Sequence, residues 1–307
     1  TDKEGIMANF IQFGEGLRRI MERLNYCIKT LKCIVPSNML RIGFIGGGKM
    51  AQAMAKGFVS AGLTKNENIL ASCIPQDTVS LKGLKELGIP TTFDNKDVVK
   101  QSEIIFLATK PLVIPTVLQD VKSVVTPKNL FLSVAMGVTL KTLEQVNRIS
   151  RYQSHAKTPA LVREGASVFV RGSSVKDDDA EIAKKLLAAI GTCEEVKEYD
   201  LDPVTALSGS GPAYIYVMIE ALADGAVRMG LARDLAYKLA AQTVKGAGTM
   251  VLETGSHPGK LKDDVTSPGG STAAGLYQLE RGGLRAAVIT ALEEATKKCK
   301  EMAKTSQ

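Results

Sequence analysis

Two short runs of this sequence hold residue types whose spacing could do chemistry. In the first, Gly46-Gly47-Gly48-Lys49-Met50-Ala51 follows the apolar stretch Ile42 to Ile45 and fits the spacing G-x-G-x-x-A. Gly46 would permit a tight turn and Gly48 the close approach of an anion. The helix that opens there would turn main-chain N–H groups and its positive end toward phosphate. A pyrophosphate can be held this way without a basic side chain, although Lys49 can assist. A glycine-rich turn can also serve packing alone, and the position between a strand and a helix, opening a βαβ unit, favours the dinucleotide reading. In the second run, Ser267-Pro268-Gly269-Gly270-Ser271-Thr272, a turn leads into a helix and its N–H groups could converge on a carboxylate. The plainer reading is a Pro-Gly turn with Ser271 as helix cap.

The end of the second strand bears on which dinucleotide is held. An acidic residue there would accept from both ribose hydroxyls of NAD, but the chain reads Ile69-Leu70-Ala71-Ser72-Cys73. Nothing repels a 2′-phosphate, and Ser72 and Cys73 are small enough to hydrogen-bond it, so NADP(H) is favoured. No Arg stands nearby, which leaves NAD(H) open, and Ser72 also reads as an ordinary strand-end turn residue.

Other reactive side chains are sparse. Neither His155, alone in its loop, nor His257, before Pro258-Gly259, has the company of a general acid; they read as surface and turn residues. The five cysteines, Cys27, Cys33, Cys73, Cys193 and Cys299, are odd in number and form no C-x-x-C pair, against a disulfide framework or a metal site. A reducing compartment is expected, taken as cytoplasmic with mitochondrial as the alternative. The excess of 39 basic over 32 acidic residues, a net +7, is scattered among acidic neighbours, which disfavours nucleic acid and suits anionic small molecules. No apolar run reaches the length of a membrane span, and the first residues lack the pattern of a secretory signal.

The elements that must position these runs change character twice. Residues 1–38 read as an amphipathic extension or partner helix, with Leu17, Ile20, Met21, Leu24, Ile28 and Leu31 at helical spacing. A mitochondrial targeting segment is the second reading, poorly suited by Asp2, Glu4, Glu15 and Glu22. From Met39, apolar runs alternate with amphipathic ones. Strands are expected at Leu40 to Ile45, Ile69 to Ser72, Ile104 to Ala108 and Leu130 to Val134, and helices near Lys49 to Ala61, Val79 to Leu87 and Ile114 to Val124. Right-handed crossovers then give an α/β, Rossmann-type doubly wound sheet over residues 39–170. After Val170 the strand signals fade, and residues 171–307 read as an all-helical dimerisation domain: Ala180 to Ile190, Ala213 to Met229, Arg233 to Glu253 and Ser271 onward. Ala236 to Met250 is apolar nearly all round, so burial in a homodimer is the economical solution.

Taken with Ala108-Thr109-Lys110-Pro111 and Leu207-Ser208-Gly209-Ser210-Gly211-Pro212-Ala213, the glycine run and the stretch Asp264 to Thr272 resemble pyrroline-5-carboxylate reductase over Met39 to Met302, in order and spacing. The resemblance implies reduction of a cyclic imine to L-proline with NAD(P)H, in a homodimer assembled into a ring of dimers. It implies cofactor contacts from Ile45, Gly46, Gly47, Gly48, Lys49 and Met50, from Ser72 and Cys73, and from Asn95 beside the adenosine. Ala108, Thr109, Lys110 and Pro111, then Val134, Ala135 and Met136, complete that set. Substrate contacts are implied from Val265, Ser267, Gly269, Gly270, Ser271 and Thr272. Thr272 is the implied hydrogen-bond partner of the imine nitrogen, with Lys110 as second candidate. Where the family usually carries a Met-Pro-Asn-like stretch before Thr158-Pro159, this chain reads Ser154-His155-Ala156-Lys157. The alternatives are a β-hydroxyacid or imine dehydrogenase, and a non-catalytic dinucleotide-binding regulatory protein.

Overall fold

The four apolar runs of the first half become strands buried on both faces, which is why they read as continuous hydrophobic stretches instead of alternating ones. The computed structural model describes residues 39–135, 138–144, 149–154 and 159–305. Residues 1–38, with Cys27 and Cys33, lie outside the described residues, as do Met136, His155 and Lys157.

Strands β1 (Ile42–Ile45), β2 (Ile69–Ser72), β3 (Thr91–Thr92), β4 (Ile104–Leu107), β5 (Leu130–Ser133), β6 (Ile149–Ser154), β7 (Gly165–Val170) and β8 (Gly191–Glu195) form one sheet in the order β3-β2-β1-β4-β5-β6-β7-β8. The first six run parallel, and the order reverses between β1 and β4, the switch point at which doubly wound sheets bind ligands. The β6–β7 pair is antiparallel and β7–β8 parallel again.

Helices cover both faces. α1 (Lys49–Ser60) buries Ala51, Met54, Ala55 and Phe58, and its small residues let Phe58 reach the Phe44 and Phe106 rings at centroid distances of 6.4 and 5.5 Å. After α2 (Thr78–Glu86), the opposite face is covered by α3 (Asn95–Gln101) and α4 (Ile114–Val121), whose buried Ile114, Val117, Leu118 and Val121 follow the i, i+3, i+4, i+7 stripe of a helix lying on a core. They pack with Val98, Val99, Ile105, Leu107 and Phe131.

The sheet does not end near Val170. After the short α5 (Leu140–Leu143), β6 and β7, the helix α6 (Asp177–Ala188) returns the chain to β8, an edge strand in which only Cys193 is buried and whose apolar signal is therefore weak. Beyond it the structure is helical: α7 (Leu201–Val204), α8 (Gly211–Arg228), α9 (Arg233–Thr254), α10 (Pro258–Asp264), α11 (Ser271–Arg281) and α12 (Leu284–Thr305). Between α7 and α8, Thr205–Ser210 is a π-helical turn. Pro212 in the first turn of α8 has no N–H to give the Ser208 carbonyl, so the regular ladder opens there. Ser271 onward is two helices, because Gly282 ends α11 and Gly283 takes a φ of 70°.

Candidate active site

The carboxyl ends of four parallel strands lie on one register row: Ser72 pairs with Ile45, Ile45 with Leu107, and Leu107 with Ser133. Each chain continues past that row with one more hydrogen bond. Gly46 N–H donates to the Ser72 carbonyl at 3.0 Å, Ala108 N–H to Ile45 at 2.8 Å and Val134 N–H to Leu107 at 3.1 Å. Ile45 to Met50, Ser72 and Cys73, Ala108 to Pro111, and Val134 with Ala135 therefore border one crevice at the switch point.

Within the glycine turn the three residues have different duties. Gly46 has a φ of 102°, and a Cβ on it would stand 2.8 Å from the Ala108 main chain, so a side chain is excluded twice over. A Cβ on Gly47 would meet Cys73 Sγ at 2.4 Å and Leu84 at 2.5 Å, so this glycine seats the turn on β2 and α2, a role its place in the spacing does not reveal. Gly48 is the N-cap of α1, and a Cβ there would meet nothing within 4 Å, leaving open space in front of the helix. The first turn of α1 contains no acidic residue to offset its positive end. Gln52, missed in the sequence reading, donates from Nε2 to the Gly47 carbonyl at 2.8 Å, in space left by Gly83 of α2. A glycine inside a helix was the one signal for that contact.

At the end of β4, the Thr109 hydroxyl oxygen is buried without a hydrogen-bond partner, and a Cβ on Gly46 would lie 3.0 Å from its methyl group. The methyl group thus packs on the glycine turn, and the hydroxyl is a buried polar atom without a partner. Lys110 is exposed and precedes the 3₁₀ turn Pro111–Val113.

Two side chains differ from expectation. Ser72 does not present its hydroxyl to the crevice: it is 3% exposed and donates to Asn95 Oδ1 at 2.7 Å, an acceptor from the first turn of α3. Asn95 Nδ2 in turn donates to Asp120 Oδ2 at 3.1 Å. Burial pushes the Cys73 thiol above its ordinary range, against a lowering by a Gly47 main-chain hydrogen bond, and the Asp77 charge adds to the rise. It stays a neutral packing group. Asp77, the nearest acid after β2, accepts from Ser80 N–H at 3.0 Å, and these Ser80 hydrogen bonds hold its carboxyl below the usual range while it caps α2.

The Ser267 to Thr272 turn lies in the helical part. Gly269 has a φ of 67°, a conformation that favours glycine, and a Cβ on Gly270 would stand 2.3 Å from Ser267 Oγ, so a side chain there would require Ser267 to move. Gly270, not Ser271, is the N-cap of α11. Ser271 and half-buried Thr272 occupy the first turn, whose N–H groups have no intrahelical acceptor. Val265 ends α10 and is exposed. His257 is the N-cap of α10, its Nδ1 accepting from Gly259 N–H at 3.0 Å, instead of a plain turn residue. Within one chain, α11 packs on α12.

Comparison with known proteins agrees with this division. A family model described as pyrroline-5-carboxylate reductase dimerisation matches residues 198–302, and one described as NADP oxidoreductase, coenzyme F420-dependent, matches 41–137. Pyrroline-5-carboxylate reductase 3 of Mus musculus is 43% identical over 268 residues, 86% of this chain and 96% of its own length. The reductase 2 of Bos taurus is 40% identical over 270 residues, covering 86% and 84%. Among solved structures, the Coxiella burnetii enzyme superposes with a TM-score of 0.78 at 36% identity over 86% of this chain and 99% of its own. The Plasmodium falciparum pyrroline carboxylate reductase, determined with NADP bound, gives 0.75 at 33% identity over 87% and 100%. With a Rossmann-like sheet, a glycine turn at its switch point and a helical dimerisation domain, this chain belongs to the pyrroline-5-carboxylate reductase family.

Proposed function

We propose that the chain reduces 1-pyrroline-5-carboxylate to L-proline, with NADP(H) preferred over NAD(H). The observation that carries this reading is that relatives of that activity match the chain over most of their own length, while the two family models span the two glycine turns. The crevice fits the nucleotide: open space lies before Gly48, and the helix N-terminus there has no acidic residue in its first turn. The absence of an available acid after β2 supports the 2′-phosphorylated form, with Asp77 held as a helix cap.

When bound, the reduced nicotinamide supplies a hydride to the imine carbon. The C=N π pair moves to the nitrogen, which is already protonated, so no strong acid is required of the protein. The residues position and polarise. N–H groups of the first turn of α11 hold the substrate carboxylate, the Thr272 hydroxyl hydrogen-bonds the ring nitrogen, and Lys110 adds positive potential near the crevice. We place the division between the two parts in the link after β8, near residues 195–198, and assign the helical part to a homodimer.

The test is oxidation of NADPH dependent on pyrroline-5-carboxylate, with Thr272→Ala as the diagnostic variant. A hydrogen bond to a charged group contributes about 1.5 to 3 kcal/mol, so kcat should fall about tenfold to a hundredfold with NADPH affinity unchanged. A folded variant with the unaltered rate would leave Thr272 as a helix residue only and move its role to Lys110 or water.

A further inference from the structure

Four side chains link the end of β2 to the outside of α4. Ser72 Oγ donates to Asn95 Oδ1 at 2.7 Å, Asn95 Nδ2 donates to Asp120 Oδ2 at 3.1 Å, and Asp120 Oδ1 faces Lys96 Nζ at 3.3 Å. The order of donors in this chain is fixed from its outer end. A carboxylate only accepts, so the Asn95 amide must turn its nitrogen to Asp120 and its oxygen to Ser72, and the buried Ser72 hydroxyl must then donate. The Ser72 main-chain carbonyl, in turn, accepts from Gly46 N–H at 3.0 Å, the first bond of the glycine turn.

We propose that Asp120 is a positioning residue of the dinucleotide pocket: by orienting the Asn95 amide it fixes the edge of the crevice at β2 and the seat of the glycine turn. This rests on the cofactor reading given above. Asp120 lies off the stripe Ile114, Val117, Leu118 and Val121 that buries α4, and its side chain is 37% exposed, so core packing does not account for its placement. Removing it frees the Asn95 amide to rotate, so that its NH₂ group can face Ser72 and the hydroxyl loses its acceptor.

The experiment is direct titration of NADPH into the full chain and three variants, together with steady-state kinetics and thermal unfolding. Asp120→Ala should weaken NADPH binding roughly tenfold, the effect expected of one lost orienting hydrogen bond. Its kcat at saturating NADPH and its KM for pyrroline-5-carboxylate should stay within about twofold of the parent. Asp120→Asn keeps an acceptor for Asn95 and should restore binding to within about twofold, and Lys96→Met should do the same. Unchanged NADPH affinity in Asp120→Ala overturns the proposal. So does an Asp120→Asn variant as weak as the alanine, which would make the Lys96 ion pair the active element, or a loss spread equally over kcat and both KM values with a lowered unfolding midpoint. If the parent chain itself binds no NADPH, the cofactor reading fails first, and the two failures are told apart by that control.

Discussion

Thr109 carries a cost in the folded chain, and the dinucleotide reading predicts that cofactor binding relieves it. Its buried hydroxyl has no partner, and a buried polar group left unmade costs about 1–3 kcal/mol. Thr109→Val keeps the branched shape and deletes the hydroxyl. We expect the variant to unfold at higher temperature than the parent in the absence of cofactor, by the equivalent of about 1 kcal/mol, and to bind NADPH more weakly. Calorimetry and titration on the same samples read both, and a variant that loses stability would mean that the hydroxyl is satisfied in solution. Gly48→Asp separates folding from binding in the same way. Its Cβ enters open space, and an aspartate is a good N-cap, so the fold should hold while NADPH affinity drops by about tenfold or more. Gly46→Ala should fail earlier, in stability, because its side chain would strike the Ala108 main chain at a φ of 102°.

The elements legible in the sequence were those whose burial makes them unambiguous. β1, β2, β4 and β5 are apolar on both faces, and their observed ends fall within two residues of the expected ones. β8 was hidden because an edge strand with one buried position offers no alternation to read, and the break in the C-terminal run rests on Gly282 as C-cap and the positive φ of Gly283. The site divides likewise. Glycine turns are local and could be read, whereas Gln52 under Gly47, Asn95 across from Ser72 and the contact of Asp120 with Asn95 exist only after the sheet has brought distant segments together. Cys193 on β8 gives a test at this scale, because burial pushes its thiol up to about 12 from 9.0, with Lys184 lowering it and Glu194 raising it. Below pH 9.0 the thiol is protonated in both folded and unfolded chains and its contribution is complete; above that the unfolded chain ionises first, and the contribution is lost as pH rises toward 12. Stability measured by denaturant titration should therefore decline across that window, and Cys193→Ala should flatten the decline while being less stable than the parent at neutral pH. An equal slope in both proteins would show that Cys193 titrates normally.

At the scale of the molecule the two parts are unequally finished. The sheet is covered by its own helices, whereas among the described residues the helical part has a small cluster of Ala223, Ala236 and Ala240 with flanking Ile219, Ala226 and Val227, beside buried Leu201 and Ala206. It leaves Val217, Leu222, Leu239, Leu252 and Ile289 each more than half exposed. Apolar grooves of about 470 Å³, where the π turn, α8 and α12 meet β7, and about 440 Å³, between α10, α11 and α12, remain open in one chain. Surface of this kind marks an interface, and the match of residues 198–302 to a dimerisation family supports covering by a second copy. Leu222→Glu combined with Leu239→Glu places two carboxylates on α8 and α9, where a desolvated charge would cost several kcal/mol. We expect light scattering to report the mass of a single chain, below that of the parent. Because the sheet and its glycine turn have their own core, the resulting monomer should retain NADPH affinity within a fewfold. Because the Ser267 to Thr272 turn lies in the helical part that matches the dimerisation family, reduction of pyrroline-5-carboxylate should fall far more than cofactor binding. A monomeric variant that turns over at the parent rate would show that one chain builds the substrate site alone, and a variant that stays dimeric would place the contact surface on α10 to α12 instead of α8 and α9.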